Sequence, residues 1–149
     1  MTGARTRAID WLIMQFELVR QISIALENHP GALHRAASEL ARSGIDIQGI
    51  SILDSIDQGV VRLRTSDAAK AREVLARIGL NLIEAEILEL DLPDQLGGLA
   101  EVCRALSEGG VNIDYAYGSS HGSAKRMRVL MKASPPERAK AILKLLPPE

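Results

Sequence analysis

The segment Asn28-His29-Pro30-Gly31-Ala32-Leu33 carries the residue types of a small-anion site. It follows an apolar alternation typical of a strand and precedes the three-and-four spacing of a helix. A glycine at that junction removes the Cβ that would hold a ligand away from the main chain. The first N–H groups of the helix lack intrahelical acceptors and sit at the positive end of its dipole, so they suit a carboxylate. Asn28 adds an amide that donates to a carboxylate and accepts from an ammonium, which are the two needs of a zwitterion. His29 lies in the same loop as a further ligand contact, whereas His34 falls in the helix and His121 in a later hairpin loop. The plain alternative is an ordinary strand-to-helix turn with Pro30 in the first helical turn, a common arrangement.

The segment does not stand alone. Asp94-Gln95-Leu96-Gly97-Gly98-Leu99 repeats it, and Gly31 with Gly97, Leu33 with Leu99, Leu40 with Leu106 and Gly44 with Gly110 are all 66 positions apart (97 − 31 = 66). Further on, Ala71, Val74 and Leu75 match Ala139, Ile142 and Leu143 at an offset of 68, so the second copy carries two extra residues in its hairpin loop. A fixed offset across apolar, glycine and polar positions makes the chain an internal duplication, with a folding unit of about half its length.

The elements that must position these turns follow from periodicity. Ile22, Ile24 and Leu26 alternate with Gln21, Ser23 and Ala25 as a strand with one buried face. Leu33, Ala36, Ala37, Leu40 and Ala41 form a helical stripe ended by Gly44. Ile47 to Leu53 and Val60 to Thr65 flank a turn-forming stretch and read as a hairpin. Asp67 caps a second helix that stops at Gly79. Leu80 to Leu92 is long for one strand, and dividing it near Ala85 and Glu86 gives each copy a strand. The result is an α+β chain of two ferredoxin-like βαββαβ repeats, with antiparallel sheets and helices on one face. Residues 19–85 form the first domain and 86–149 the second, whose last strand is missing because the chain runs out in Pro147-Pro148. Residues 1–18 are an N-terminal extension. Its Trp11 to Phe16 segment either supplies that strand or, before Met14, is a loosely attached tail.

Composition narrows the function. The chain has 149 residues, 46% hydrophobic and 25% charged, enough for a real core. A net charge of −1 supplies no electrostatic footprint for nucleic acid, and 3% aromatic residues leave no stacking surface for RNA. The longest apolar stretch, Trp11 to Leu26, is interrupted by Gln15, Glu17, Arg20 and Gln21, so no membrane span is expected. A single cysteine, Cys103, excludes an internal disulfide and sits in a helical stripe as a small buried hydrophobe. There is no Walker lysine after a glycine loop, no metal-ligand spacing of His and Cys, and no recognisable catalytic triad. Neither cofactor nor metal is expected, and the protein reads as a cytosolic non-enzyme. Tyr115 and Tyr117 share one strand face, where sheet packing is the usual role of such a pair.

Asn28-x-Pro30-Gly31-x-Leu33 followed by Gly44-Ile45-Asp46-Ile47, and Gly97-x-Leu99 followed by Gly110-Val111-Asn112-Ile113, resemble the ACT domain, a family of small ligand-binding regulatory modules. The resemblance runs from about Val19 to Leu145. It implies domains that pair side by side and bind an amino acid at their interface, between the strand-helix loop of one and the second strand of the other. Carried over to this chain, one site uses Asn28, His29, Gly31, Ala32 and Leu33 with Asn112. The reciprocal site uses Asp94, Gly97, Gly98 and Leu99 with Asp46. There two carboxylates repel the ligand's own, and Leu96 stands where the family has proline, so one working site is expected. The implied function is a regulatory protein that binds a small amino acid and acts on itself as a homo-oligomer or on a protein partner. The competing reading is a structural oligomerisation module with empty loops.

Overall fold

The computed structural model describes residues 14–54, 57–121 and 125–146. The start of the Trp11–Phe16 segment, the tip of the second hairpin loop and the Pro147-Pro148 tail lie outside the described residues. The chain divides into two compact units, Val19–Glu86 and Met1–Leu18 with Ile87–Glu149.

The first unit contains the larger part of β1 (Gln15–Glu27), then α1 (Ala32–Arg42), β2 (Ile47–Leu53), β3 (Gln58–Thr65), α2 (Ala68–Arg77) and the opening residues of β4 (Leu82–Pro93). Its sheet runs β2-β3-β1-β4, with β1 and β2 both antiparallel to β3. The even-numbered residues Ile22, Ile24 and Leu26 meet Ala36 and Leu40 of α1 and Ala71, Val74 and Leu75 of α2 in one core, so both helices cover the same face. Burying a leucine such as Leu40 completely contributes roughly 1.5–3 kcal/mol relative to leaving it exposed. Asp67 caps α2 by accepting from the Lys70 N–H at 2.9 Å, as its place before the apolar stripe indicates.

The second unit repeats the plan with the rest of β4, α3 (Gly98–Glu108), β5 (Asn112–His121), β6 (Arg126–Ser134) and α4 (Pro136–Lys144). Its sheet order is β1-β4-β6-β5, and the strand beside β4 is the opening part of β1, Gln15–Leu18. Met14, Phe16 and Leu18 pack against the core of Leu88, Leu90, Leu106, Met131 and Leu143. The parity of Phe16 and Leu18 is that of Ile22 and Ile24, so a single period-two register serves both cores.

Three local expectations are corrected. Leu80 to Leu92 is not two strands: β4 runs unbroken from Leu82 to Pro93, because no glycine, proline or asparagine interrupts it after Asn81. Pro30 is not in the helix. Gly31 is the N-cap in the left-handed region at φ +92°, and α1 begins only at Ala32. Cys103 is half-buried rather than buried, since Val102, Ala105 and Leu106 take the inward positions of α3.

Candidate functional site

The turn between β1 and α1 is held by main-chain hydrogen bonds from Asn28 N–H to the Asp57 carbonyl (3.2 Å), His29 to Glu27 (3.0 Å), Ala32 to His29 (3.3 Å) and Arg35 to Gly31 (3.0 Å). Nothing lies within 4 Å of where a Gly31 Cβ would be. The left-handed backbone, rather than crowding, is what requires glycine there. No side chain caps α1, and with the Ala32 N–H bonded to His29 the N–H groups of Leu33 and His34 are the ones offered to whatever approaches the turn. The Asn28 amide donates to Asp54 Oδ1 at 3.4 Å.

His29 is exposed and has an acceptor at each ring nitrogen: the Pro30 carbonyl 3.0 Å from Nδ1 and Glu27 Oε2 2.9 Å from Nε2. Only the imidazolium can donate to both. The Pro30 carbonyl, and after it the Glu27 carboxylate, raise the pKa above the ordinary 6.5.

Two cavities flank the turn, both within the first unit. One of about 230 Å³ lies toward the β2–β3 hairpin and is lined by Asn28, His29, Ala32, Leu33, Ile52 and Asp54, among others. The other, about 330 Å³, lies between α1 and the turn joining α2 to β4, and includes Glu27, His29, Gly31, Arg35, Gln58, Ile78 and Asn81. Arg35 spans it, donating from Nη2 to the Ile78 carbonyl at 3.0 Å. The sequence reading missed Arg35, Glu27 and Asp54. Asp54 and the Ile78–Asn81 turn come from elements remote in sequence. Arg35 did leave a signal, because a cation in the first turn of a helix opposes the dipole and invites an anion.

The turn between β4 and α3 repeats the backbone: Gln95 N–H to Pro93 (3.0 Å), Gly98 to Gln95 (3.2 Å), Glu101 to Gly97 (3.0 Å), with Gly97 at φ +87°. Asp94 and Leu96 are exposed, the latter fully, while Gly98 is buried and Leu99 packs on the core. Glu101 occupies the position equivalent to Arg35 and is paired with Arg104, whose hydrogen bond holds the carboxyl below its usual range.

The structure brings Asn28, His29, Gly31, Ala32 and Leu33 together in the first turn, and Asp94, Gly97, Gly98 and Leu99 in the second. Asp46 precedes β2, which runs parallel to β1 across the antiparallel β3, and so lies at the opposite end of its unit from Asn28. Its N–H donates to Ser66 Oγ at 2.9 Å. Asn112 opens β5 and donates to Asp114 Oδ1 at 2.8 Å. Asp114 also accepts from Ser134 Oγ at 2.7 Å, and Ser134 and then Asn112 keep its carboxyl below the usual range. Among the described residues no cluster of three or more His, Cys, Asp or Glu is placed to hold a metal, and no helix is long and apolar enough to cross a membrane.

A search of curated proteins gives no match. Among solved structures, a Bacteroides thetaiotaomicron protein is 28% identical with a TM-score of 0.81, covering 87% of this chain and 88% of its own. The ligand-free regulatory subunit of aspartate kinase from Thermus thermophilus is 22% identical with a TM-score of 0.64, over 86% of this chain and 93% of its own. Its Thermus flavus counterpart is 23% identical with a TM-score of 0.62, over 88% and 92%. At that identity the two kinase subunits show a shared fold. The family model described as an ACT domain pair matches residues 17–146, and with that span, the duplicated turns and the two βαββ units in agreement, the chain belongs to the ACT domain pair family.

Proposed function

We propose that this chain is a non-catalytic regulatory protein, acting in the cytosol, that binds a small amino acid at the interface between its two ACT domains. The ligand's carboxylate sits at the start of α1, and its ammonium is met by Asn28 and Asn112. The observation that carries the reading is the uncapped helix start at left-handed Gly31, beside a cavity of about 230 Å³ lined by Asn28, His29, Ala32 and Leu33. The kinship in fold with subunits named as regulatory supports the role. The second turn, with exposed Asp94 and Leu96, is a poorer cradle for a carboxylate, so one site per chain is proposed. Regulation follows by linkage: a ligand that favours one assembly state shifts the population by its differential affinity.

Thermal-shift screening against the common amino acids tests this directly. A binder at a hundredfold over its dissociation constant adds about 2.7 kcal/mol of stability, and Asn28→Asp removes the shift. No shift with any amino acid overturns the reading, and titration calorimetry with two equivalent sites per chain overturns the single-site form. A second reading, oligomerisation without a ligand, is favoured by Ile50 at 44% and Ile52 at 52% exposure on edge strand β2. Light scattering that finds the same oligomer with and without amino acids would support it.

A further inference from the structure

The cavity between α1 and the α2–β4 turn is larger than the one that serves the proposed zwitterion contacts, and it shares His29 and Ala32 with it. Its walls are partly apolar, from Leu26, Ala36, Ile78 and Leu80. Glu27 on it is held 2.9 Å from the His29 ring, and the two charges cancel when the ring is protonated. Arg35 is different. Among the described residues no carboxylate pairs with it, and its one recorded partner is the neutral Ile78 carbonyl. That bond ties the guanidinium across the cavity while leaving most of its donors free, and a planar guanidinium is suited to a carboxylate. The equivalent position of the second repeat holds Glu101, which agrees with the helix dipole and is already neutralised by Arg104. The first repeat thus keeps an uncompensated cation where its twin has a satisfied anion.

We propose that Arg35 is the specificity-determining residue of this turn: it receives a second carboxylate in the cavity beside the α2–β4 turn, so the ligand class is the acidic amino acids. The proposal rests on the amino-acid reading above and adds to it the side chain of the ligand. A dicarboxylic amino acid places one carboxylate at the helix start and reaches Arg35 with the other. The isosteric amide fills the same space but leaves the guanidinium without an anion.

Isothermal titration of the full chain with L-aspartate, L-asparagine, L-glutamate and L-glutamine tests it. The better acid binds about tenfold to a hundredfold tighter than its amide, the range of a hydrogen bond to a charged partner. Arg35→Gln erases that preference, and Arg35→Lys, which keeps the charge without the fork, retains part of it. If the amides bind as tightly as the acids, or if the preference survives Arg35→Gln, the inference falls while the amino-acid reading stands. If no amino acid binds the unaltered protein, both fall. Should Arg35→Gln fail to fold for want of the Ile78 tie, the acid-to-amide ratio of the unaltered chain and of Arg35→Lys still decides.

Discussion

In both repeats the strand-to-helix turn closes with the same main-chain pattern, residue for residue at an offset of 66: His29 to Glu27 and Gln95 to Pro93, Ala32 to His29 and Gly98 to Gln95, Arg35 to Gly31 and Glu101 to Gly97. The pattern continues past the helices, where Ile45 bonds to Leu40 at 3.0 Å and Val111 to Leu106 at 2.8 Å. What differs is every side chain with chemistry in it. Asn28, His29 and Arg35 face Asp94, Gln95 and Glu101 in the comparison. Backbone geometry in a duplicated fold is fixed by a few glycines and apolar positions, and those are shared. The polar positions are free of that constraint, so one turn can serve a ligand while the other serves only the chain.

The strongest test of this division concerns the shared part. Leu75 and Leu143 are equivalents at an offset of 68 and both are buried. Leu75→Ala and Leu143→Ala should each cost about 3 kcal/mol. Hydrogen exchange should show the loss mainly in Val19–Glu86 for the first and in Ile87–Glu149 for the second. Equal loss across the chain from either variant would mean that the two units open as one.

Phe16→Ala follows, at about 2 kcal/mol for a half-buried ring. Phe16 precedes the first unit in sequence but packs on the core of the second. The lost protection should therefore fall among residues 87–146, and loss confined to residues 19–54 would contradict the packing.

These two cases show what a sequence reading can reach. The helices, the hairpins and the duplicated turns were legible because each follows from local periodicity, a cap such as Asp67 or a glycine stop. Phe16 was harder, since its partners begin at Leu88 and run to Leu143, all far along the chain, and its alternation continues smoothly into the first unit's strand. The same smoothness hid β4, where an expected break near Ala85 has no turn former to make it. Within the site, Asn28 and Gly31 were readable as local turn chemistry. Arg35 left only the hint of a cation in the first helical turn; its partner and place were not readable, because the carbonyl of Ile78 and the cavity it spans exist only once α2 has packed beside α1.

Gly31→Ala and Gly97→Ala isolate the turns themselves. Both glycines are left-handed and neither has a neighbour within 4 Å of the added Cβ, so each substitution costs about 1 kcal/mol through the backbone alone. Thermal unfolding should show matched losses. Amino-acid binding should separate them, falling at least severalfold with Gly31→Ala and holding with Gly97→Ala. A matched loss of binding would make the second turn a site as well.

The smallest effect belongs to His29, and it divides the repeats because its equivalent, Gln95, cannot titrate. The pKa of His29 is raised above 6.5 in the folded protein, first by the Pro30 carbonyl and then by Glu27. Its contribution to the turn is therefore fully present below pH 6.5 and is lost as pH rises through the folded value. A histidine NMR titration should place His29 above 6.5, and Glu27→Gln should move it down; a midpoint at or below 6.5 would remove the paired imidazolium. The same proton controls the charge of the larger cavity. When His29 loses it, the Glu27 carboxylate, which lines the same cavity as Arg35, is no longer neutralised by the ring and repels an incoming carboxylate. Affinity for an acidic amino acid should thus decline as pH rises from 6.5, while affinity for its amide changes less. Glu27→Gln should flatten the difference, and a decline of the same size for acid and amide would assign the pH dependence to the turn's geometry rather than to its charge.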